Sequence, residues 1–335
     1  MERTYDLEVY AIVLGAQESL LQIQMPYSFE LKKMKLSDTL IKDEILNARG
    51  QVDEKYISSD LSSDGDPEFI FIEKRITESI SVGLLTSKIE EVFENIVHKI
   101  NLEMIRVIQA LHVVQDGNIE VAEKFFFFHS KQGIMNVNLR KKLIIDEPIS
   151  VYEDFYNWNN DNAELFRKLV DFPEDFYEKM KVIFGRFERG YSTSKIDDAY
   201  KNLVTLSEMI LIGYNSDDRQ KSKKQKFANR LAASIATDDD AQNVYDDAIR
   251  IYKDRSDETH EGKNENITQQ ELKILRNYVR RLLLNYLDFC YDKYKLEHIL
   301  EYDVWRKNYI LKLISTVERL KEDGYLNSSA RESDN

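Results

Sequence analysis

Apolar and polar positions follow two different periods in the two parts of the chain. Near the start they alternate, so that Tyr5, Leu7 and Val9 fall on one face and Asp6 and Glu8 on the other. Alternation of this kind predicts a strand with one buried face. The same criteria predict further strands near residues 20–25, 69–72, 80–85, 125–129 and 137–145.

A long helix interrupts these strands. From Ser87 to about Gln115, apolar residues recur at spacings of three and four, and Ser87 with Glu90 forms a capping box. One helix among several short strands predicts a mixed α/β domain with a mainly antiparallel sheet, which we assign to residues 1–155. Its architecture suits a sensor, a substrate-selection domain or a partner-binding domain, and its residues do not choose among these roles.

The second part of the chain has helical periodicity almost throughout. Helices are predicted near residues 164–189, 195–214, 224–236, 241–259, 268–292 and 296–322. We therefore predict an all-α helical bundle over residues 164–325, after a junction rich in asparagine around Trp158. The polar tail, 326–335, is expected to be disordered. The fold class predicted for the whole chain is α+β.

Composition narrows the functional classes. The 335 residues carry a net charge of −13, so nucleic acid can be attracted only by local basic patches. The one cysteine, Cys290, excludes an internal disulfide framework and suits a reducing compartment. Apolar runs are too short to span a bilayer, and the first residues lack a signal-peptide core. We expect a cytoplasmic protein without membrane association.

Candidate chemistry lies near the end of the helix predicted at 241–259. Arg255 continues the apolar face of that helix, His260 follows five positions later, and Gly262 can end the helix and leave the imidazole at an exposed end. An arginine can bridge two phosphate oxygens, and a histidine can transfer protons near neutral pH. A structural interpretation also fits, in which Arg255 caps helix carbonyls and His260 is an ordinary exposed residue.

This stretch resembles the R-x4–6-H signature of HEPN domains, and its frame resembles the Apea-like HEPN group. Tyr252, Arg255 and Ser256 match that group's Tyr-x-x-Arg-Ser pattern, and segments 197–210 and 227–233 resemble its two preceding helices in the same order. The resemblance covers about residues 175–290. The chain departs from the group at Ser207 and at Glu261, which separates His260 from Gly262.

The resemblance implies a HEPN-like helical domain with metal-independent endoribonuclease activity and no cofactor. Arg255 would stabilise the phosphate, His260 would transfer protons, and Ser256 would either hydrogen-bond the phosphate or cap the helix. HEPN ribonucleases generally form their site from two copies of the motif, so the resemblance implies a homodimer. It also suggests a toxin or antiviral defence nuclease that cuts RNA, with tRNA as a candidate substrate. A regulatory protein partner would control this activity.

A basic segment precedes the motif and contains no acidic residue. Its cations are Arg219, Lys221, Lys223, Lys224, Lys226 and Arg230. We predict that they contact the RNA backbone, although a solvated loop and helix face would have the same composition. Arg276, Arg280 and Arg281 form a second candidate cluster. Two other functions stay open: a non-catalytic HEPN module for dimerisation or scaffolding, and an RNA-binding sensor.

Overall fold

The computed structural model describes residues 2–42, 68–81, 87–130, 138–144, 155–193, 195–212, 223–261, 267–297 and 301–327. The chain divides into two compact units, Met1–Asp171 and Phe172–Asn335. The first contains an antiparallel sheet and the second is helical, which confirms the predicted α+β class. None of the helices in the described residues has an apolar stretch of the length that a bilayer crossing requires.

The first unit is built on a five-stranded antiparallel sheet with strand order β2-β3-β1-β4-β5. Its strands are β1 (Glu2–Leu14), β2 (Glu30–Lys35), β3 (Glu68–Ser81), β4 (Glu120–Ser130) and β5 (Asn138–Ile144). The strand predicted at 20–25 is wrong. A 3-10 turn covers Glu18–Gln22, and the buried side chains Leu20 and Ile23 are three residues apart, as that turn requires.

Helix α1 (Ser87–Val114) supplies the core on one face of the sheet. Its Phe93 ring lies 5.4 Å from the ring of Phe128, which stacks on Tyr5 at 4.7 Å. Two lysines are buried on strands and donate to polar groups of α1: Lys74 Nζ lies 2.7 Å from Glu103 Oε2, and Lys124 donates to Asn101. Buried amines require such partners, because an unpaired charge is costly inside a protein.

Residues 155–171, which include helix α2 (Ala163–Val170), belong to the first unit. Tyr156 donates its backbone N–H to Gly15 O at 2.8 Å and its hydroxyl to Leu111 O at 3.1 Å. Gly117 has a φ of +147°, and a Cβ there would lie 2.8 Å from Tyr156 Cα. Glycine therefore permits this close approach. The division lies later than the predicted junction, which placed the start of the helical domain at 164.

The second unit contains six helices in its described residues. They are α3 (Glu174–Arg189), α4 (Ile196–Leu211), α5 (Lys223–Ile235), α6 (Ala241–Glu261), α7 (Gln269–Glu297) and α8 (Tyr302–Glu322). Helix α7 begins as the sequence predicts, with Thr268 Oγ1 accepting from the backbone of Glu271 at 3.2 Å. Helices α5 and α6 pack against each other and are joined by only five residues, 236–240.

Arginines from other helices satisfy the last carbonyls of three helices in this unit. Arg276 donates to Gly190 O immediately after α3. At the end of α4, Arg230 donates to Leu211 O and Arg306 to Ile212 O. Arg281 donates to Ile235 O, the last carbonyl of α5. The final carbonyls of a helix have no partner within it, and positive charge is favourable at that end. Several arginines of this acidic chain therefore stabilise helix ends within the fold.

Two glycines, Gly185 within α3 and Gly190 immediately after it, should respond to alanine in opposite directions. A Cβ at Gly185 would meet nothing within 4 Å, whereas one at Gly190 would overlap the side chain of Leu203. Gly185→Ala should raise the free energy of unfolding by about 1 kcal/mol through helix propensity. Gly190→Ala should lower it by roughly 1–3 kcal/mol through overpacking. Urea unfolding followed by circular dichroism measures both, and a shift in the same direction for both variants would contradict this packing.

Candidate functional site

Helix α6 carries the predicted motif. It spans Ala241–Glu261, two residues longer than predicted, and ends immediately before Gly262. The backbone of His260 therefore lies in the last turn of α6, about 7.5 Å along the helix axis from Arg255. Gly262 and the side chain of His260 lie outside the described part of the structure.

Arg255 lies at the edge of the buried face of α6, not on it. The buried line runs through Val244, Ala248 and Ile251 and continues to Asp254, which is 8% exposed. The sequence placed Arg255 on this line, and that placement is wrong: the helix turns so that the shorter acidic side chain points inward. Burial, and to a lesser extent the negative charge of Asp254, raises the pKa of the Tyr200 hydroxyl.

Glu208 of α4 holds the Arg255 side chain. Arg255 Nη2 lies 3.4 Å from Glu208 Oε2, and the two side chains are 30% and 21% exposed. Burial and the adjacent Glu208 carboxylate raise the pKa of Tyr252 to about 12, so its phenol stays protonated and can donate to that carboxylate. Arg255, Glu208 and Tyr252 thus form one half-exposed polar cluster where α4 meets α6.

The basic segment reaches the same end of the α5–α6 pair as Arg255. The ring of Phe227 in α5 lies 5.3 Å from that of Tyr252 in α6, which fixes how the two helices are aligned. Because a short turn joins these helices at their other end, the first turn of α5, with Lys223 and Lys224, lies at the level of Arg255. The structure therefore places the described part of the basic segment and Arg255, which were predicted separately, at the same end of the helix pair.

The cations of the basic segment differ in their surroundings. Lys223 is exposed, Lys224 and Lys226 are half-buried, and all three lie in the first turn of α5, whose own sequence contains no acidic residue. Positive charge at a helix N-terminus is unfavourable, and a bound anion would relieve it. Arg219 and Lys221 lie outside the described residues.

Two arginines that the sequence assigned to basic clusters are interior residues. Arg230 is 7% exposed and donates to Leu211 O at 2.8 Å, so the prediction that it contacts RNA is wrong. Arg276 is fully buried and donates to Gly190 O, which removes it from the second candidate cluster. Both guanidiniums have backbone carbonyls as partners because helix ends converge on them.

Neither the pairing of Glu208 with Arg255 nor the burial of Asp254 was predicted from the sequence. One signal was present for Glu208: an arginine next to a buried face requires an acidic or carbonyl partner, and Glu208 lies in one of the segments that resemble the HEPN group. Ser256, one residue after Arg255, is half-buried on α6. Asp254 gave no signal, because its neighbours in sequence are also charged.

The arrangement can bind and polarise a phosphodiester. Arginine and lysine donors lie at one end of a helix pair, and a helix-terminal histidine follows on the same chain. Among the described residues, no three His, Cys, Asp or Glu side chains are grouped so as to hold a metal ion. Comparisons of the chain with protein-family models, with curated proteins and with solved structures find no match.

Proposed function

We propose that the helical unit is a metal-independent endoribonuclease of HEPN type. One observation carries the proposal: the packing of α5 on α6 puts Lys223 and Lys224 at the end that holds Arg255 and Ser256. Lysines bind an RNA backbone without reading its sequence, and an arginine fork suits the phosphate at which charge develops. The basic segment thus holds the strand, and Arg255 acts on the scissile group.

In this mechanism the 2′-hydroxyl of RNA attacks the adjacent phosphorus, and the bond to the 5′-oxygen of the next nucleotide breaks. Arg255 stabilises the added negative charge, and Ser256 hydrogen-bonds a phosphate oxygen. His260 of one copy removes the proton of the 2′-hydroxyl, and His260 of a second copy protonates the leaving oxygen. The products carry a 2′,3′-cyclic phosphate and a 5′-hydroxyl, and the active species is a homodimer.

The resemblance to the Apea-like group supports a cellular role as a cytoplasmic toxin or antiviral defence effector. Cutting host RNA halts growth, and tRNA is one candidate substrate. Because such a nuclease is harmful when unrestrained, the proposal includes a regulatory protein partner and assigns the first unit to sensing, substrate selection or partner binding.

Incubation of the purified chain with total RNA, with and without a metal chelator, tests the proposal. We expect the same fragments in both reactions, and each fragment on the 3′ side of a cut should carry a 5′-hydroxyl that polynucleotide kinase can label directly. Fragments that disappear with the chelator would contradict the metal-independent mechanism. Intact RNA in both reactions would contradict the proposed nuclease activity.

A second function is favoured by the ion pair between Arg255 and Glu208. A guanidinium whose charge is already balanced can be a structural group, so the helical unit could serve as a non-catalytic HEPN scaffold or as an RNA-binding sensor. The position of Arg255 in a dimer separates these functions. Two Arg255 side chains within reach of one phosphate fit the enzyme, and widely separated ones fit the scaffold or sensor.

The proposal predicts that Glu208→Gln strengthens RNA binding. Glutamine keeps a hydrogen-bond acceptor for Tyr252 but removes the charge that competes with phosphate for Arg255. Partly exposed ion pairs contribute about 0.2–1 kcal/mol, so affinity should rise by up to roughly fivefold. Fluorescence anisotropy with a 2′-O-methyl oligonucleotide, which cannot be cut, measures the change.

The matched control is Glu178→Gln. Glu178 is an exposed acid of α3 that pairs with Lys181 at 3.3 Å, so the control removes the same charge from an ion pair that does not include Arg255. We expect the control to change affinity much less than Glu208→Gln. Equal effects would mean that only net charge matters, and weaker binding by Glu208→Gln would assign Glu208 to positioning Arg255 for RNA.

A further inference from the structure

The last third of α7 presents a mixed stripe to solvent. Phe289, Asp292, Lys293 and Leu296 recur at spacings of three and four and therefore lie on one face of the helix. Leu296 is 78% exposed, the most exposed large apolar side chain of the described residues. The stripe and α8 together line an open groove, with Tyr309 at its apolar side.

The stripe is complementary to itself when its direction is reversed. About a point between Asp292 and Lys293, the acid exchanges with the base, and Phe289 exchanges with Leu296. Two copies of α7 that cross antiparallel at this point would place Asp292 against the partner's Lys293 and Phe289 against the partner's Leu296. A twofold interface requires this kind of self-complementarity.

We propose that a second copy of this chain docks on the α7 stripe in this antiparallel arrangement. The charged residues that line the groove are two acids and two bases, Asp288, Asp292, Lys293 and Lys312. A balanced rim does not match a strongly charged ligand such as a nucleic acid, whereas it matches its own copy. The exposed apolar side chain of Leu296 becomes covered.

Asp292 has a weak ion pair that docking would replace. Asp292 pairs with Lys295 of its own helix at 3.0 Å, and the two side chains are 69% and 51% exposed. Exposed ion pairs of this kind contribute little to stability, so Asp292 can exchange Lys295 for a partner lysine in a less exposed setting.

The α7 stripe is separate from the candidate nuclease site. Asn285, at the start of the groove, donates to Ser234 O at the end of α5, whereas Lys223 and Arg255 lie at the opposite end of the α5–α6 pair. The docking proposal therefore does not rest on the proposed function. A chain that used both faces would form assemblies larger than a dimer.

Cross-linking at the proposed axis tests the geometry. When Asp292→Cys chains are mixed with Lys293→Cys chains, the two new thiols would face each other across the axis, so mild oxidation should give a disulfide-linked dimer on a non-reducing gel. Native Cys290 should not interfere, because it is buried and burial raises the pKa of its thiol to about 12. Val182→Cys, at a 63% exposed position of α3, is the control and should stay monomeric on the gel.

Charge exchange tests the contacts without a cysteine. Asp292→Lys alone and Lys293→Asp alone place like charges across the axis and should weaken association at least about tenfold in sedimentation equilibrium. The double variant with both changes restores opposite charges and should recover association, which separates docking from folding. Failure of the mixed Asp292→Cys and Lys293→Cys chains to cross-link, or a double variant as weak as the single ones, would overturn the proposal.

Discussion

RNA cleavage by the His260→Ala variant is expected to be about 10²–10⁴-fold slower than cleavage by the unmodified chain, because general acid–base catalysis typically contributes that factor. The imidazole is the one group of the proposed site whose ordinary pKa lies near neutral pH, so alanine removes both proton transfers of a homodimer. Cleavage of a 5′-labelled RNA in the presence of a chelator measures the loss. Sedimentation and circular dichroism of the variant should match the unmodified protein, since His260 lies in the last turn of α6.

His98→Ala is the control for that variant. His98 is an exposed histidine of α1 in the first unit, and its loss should leave the cleavage rate unchanged. Full cleavage by His260→Ala would contradict the proposed mechanism. A strict requirement for Mg²⁺ in the unmodified chain would also contradict it. An equal loss in both histidine variants would assign the effect to folding.

Replacing Arg276 with alanine should lower the free energy of unfolding by about 3–5 kcal/mol. This loss should exceed those of Gly190→Ala and Arg280→Ala. The guanidinium is fully buried, donates to Gly190 O through Nε at 3.1 Å and Nη2 at 2.6 Å, and lies 4.2 Å from the centre of the Tyr191 ring. Alanine leaves a buried carbonyl without these donors and opens a cavity, and the two losses add.

Two further variants isolate the cause of that loss. Arg276→Met fills most of the volume without donating, so its stability should fall between those of the alanine variant and the unmodified chain. Arg280→Ala removes a partly exposed arginine one turn further along α7 and should cost less than about 1 kcal/mol. Urea unfolding measures all three variants. Equal losses for Arg276→Ala and Arg280→Ala would contradict the role of Arg276 at the end of α3.

Periodicity predicted the fold class because burial on one face leaves a strong imprint on the sequence. The run Phe125–Phe128 forms part of a strand buried on both faces, as its unbroken apolar character indicates. Strand β2 escaped prediction because its Lys32, Lys33 and Lys35 break the alternation on which the prediction depends. The boundary was misplaced because helix α2 looks like any other helix in sequence, and only its packing assigns it to the first unit.

The candidate site was predictable only in part. Spacing along one helix identified Arg255 and its position near the helix end, and these are local properties. Whether a guanidinium faces solvent or a carbonyl depends on helices that are distant in sequence, so the burial of Arg230 and Arg276 could not be read from their basic neighbours. The pairing of Arg255 with Glu208 also joins positions 47 residues apart. The nuclease activity and the HEPN assignment remain predictions.

The order of strands in the first unit has a consequence for how copies of the chain meet. The outer strands of the described sheet, β2 and β5, form its two edges and carry Lys32, Lys33, Lys141 and Lys142. Charged side chains at such edges discourage another molecule from adding as a further strand, which is the usual route to fibrous aggregates. A concentrated solution should therefore resist β-type aggregation, and ordered association is left to helical surfaces.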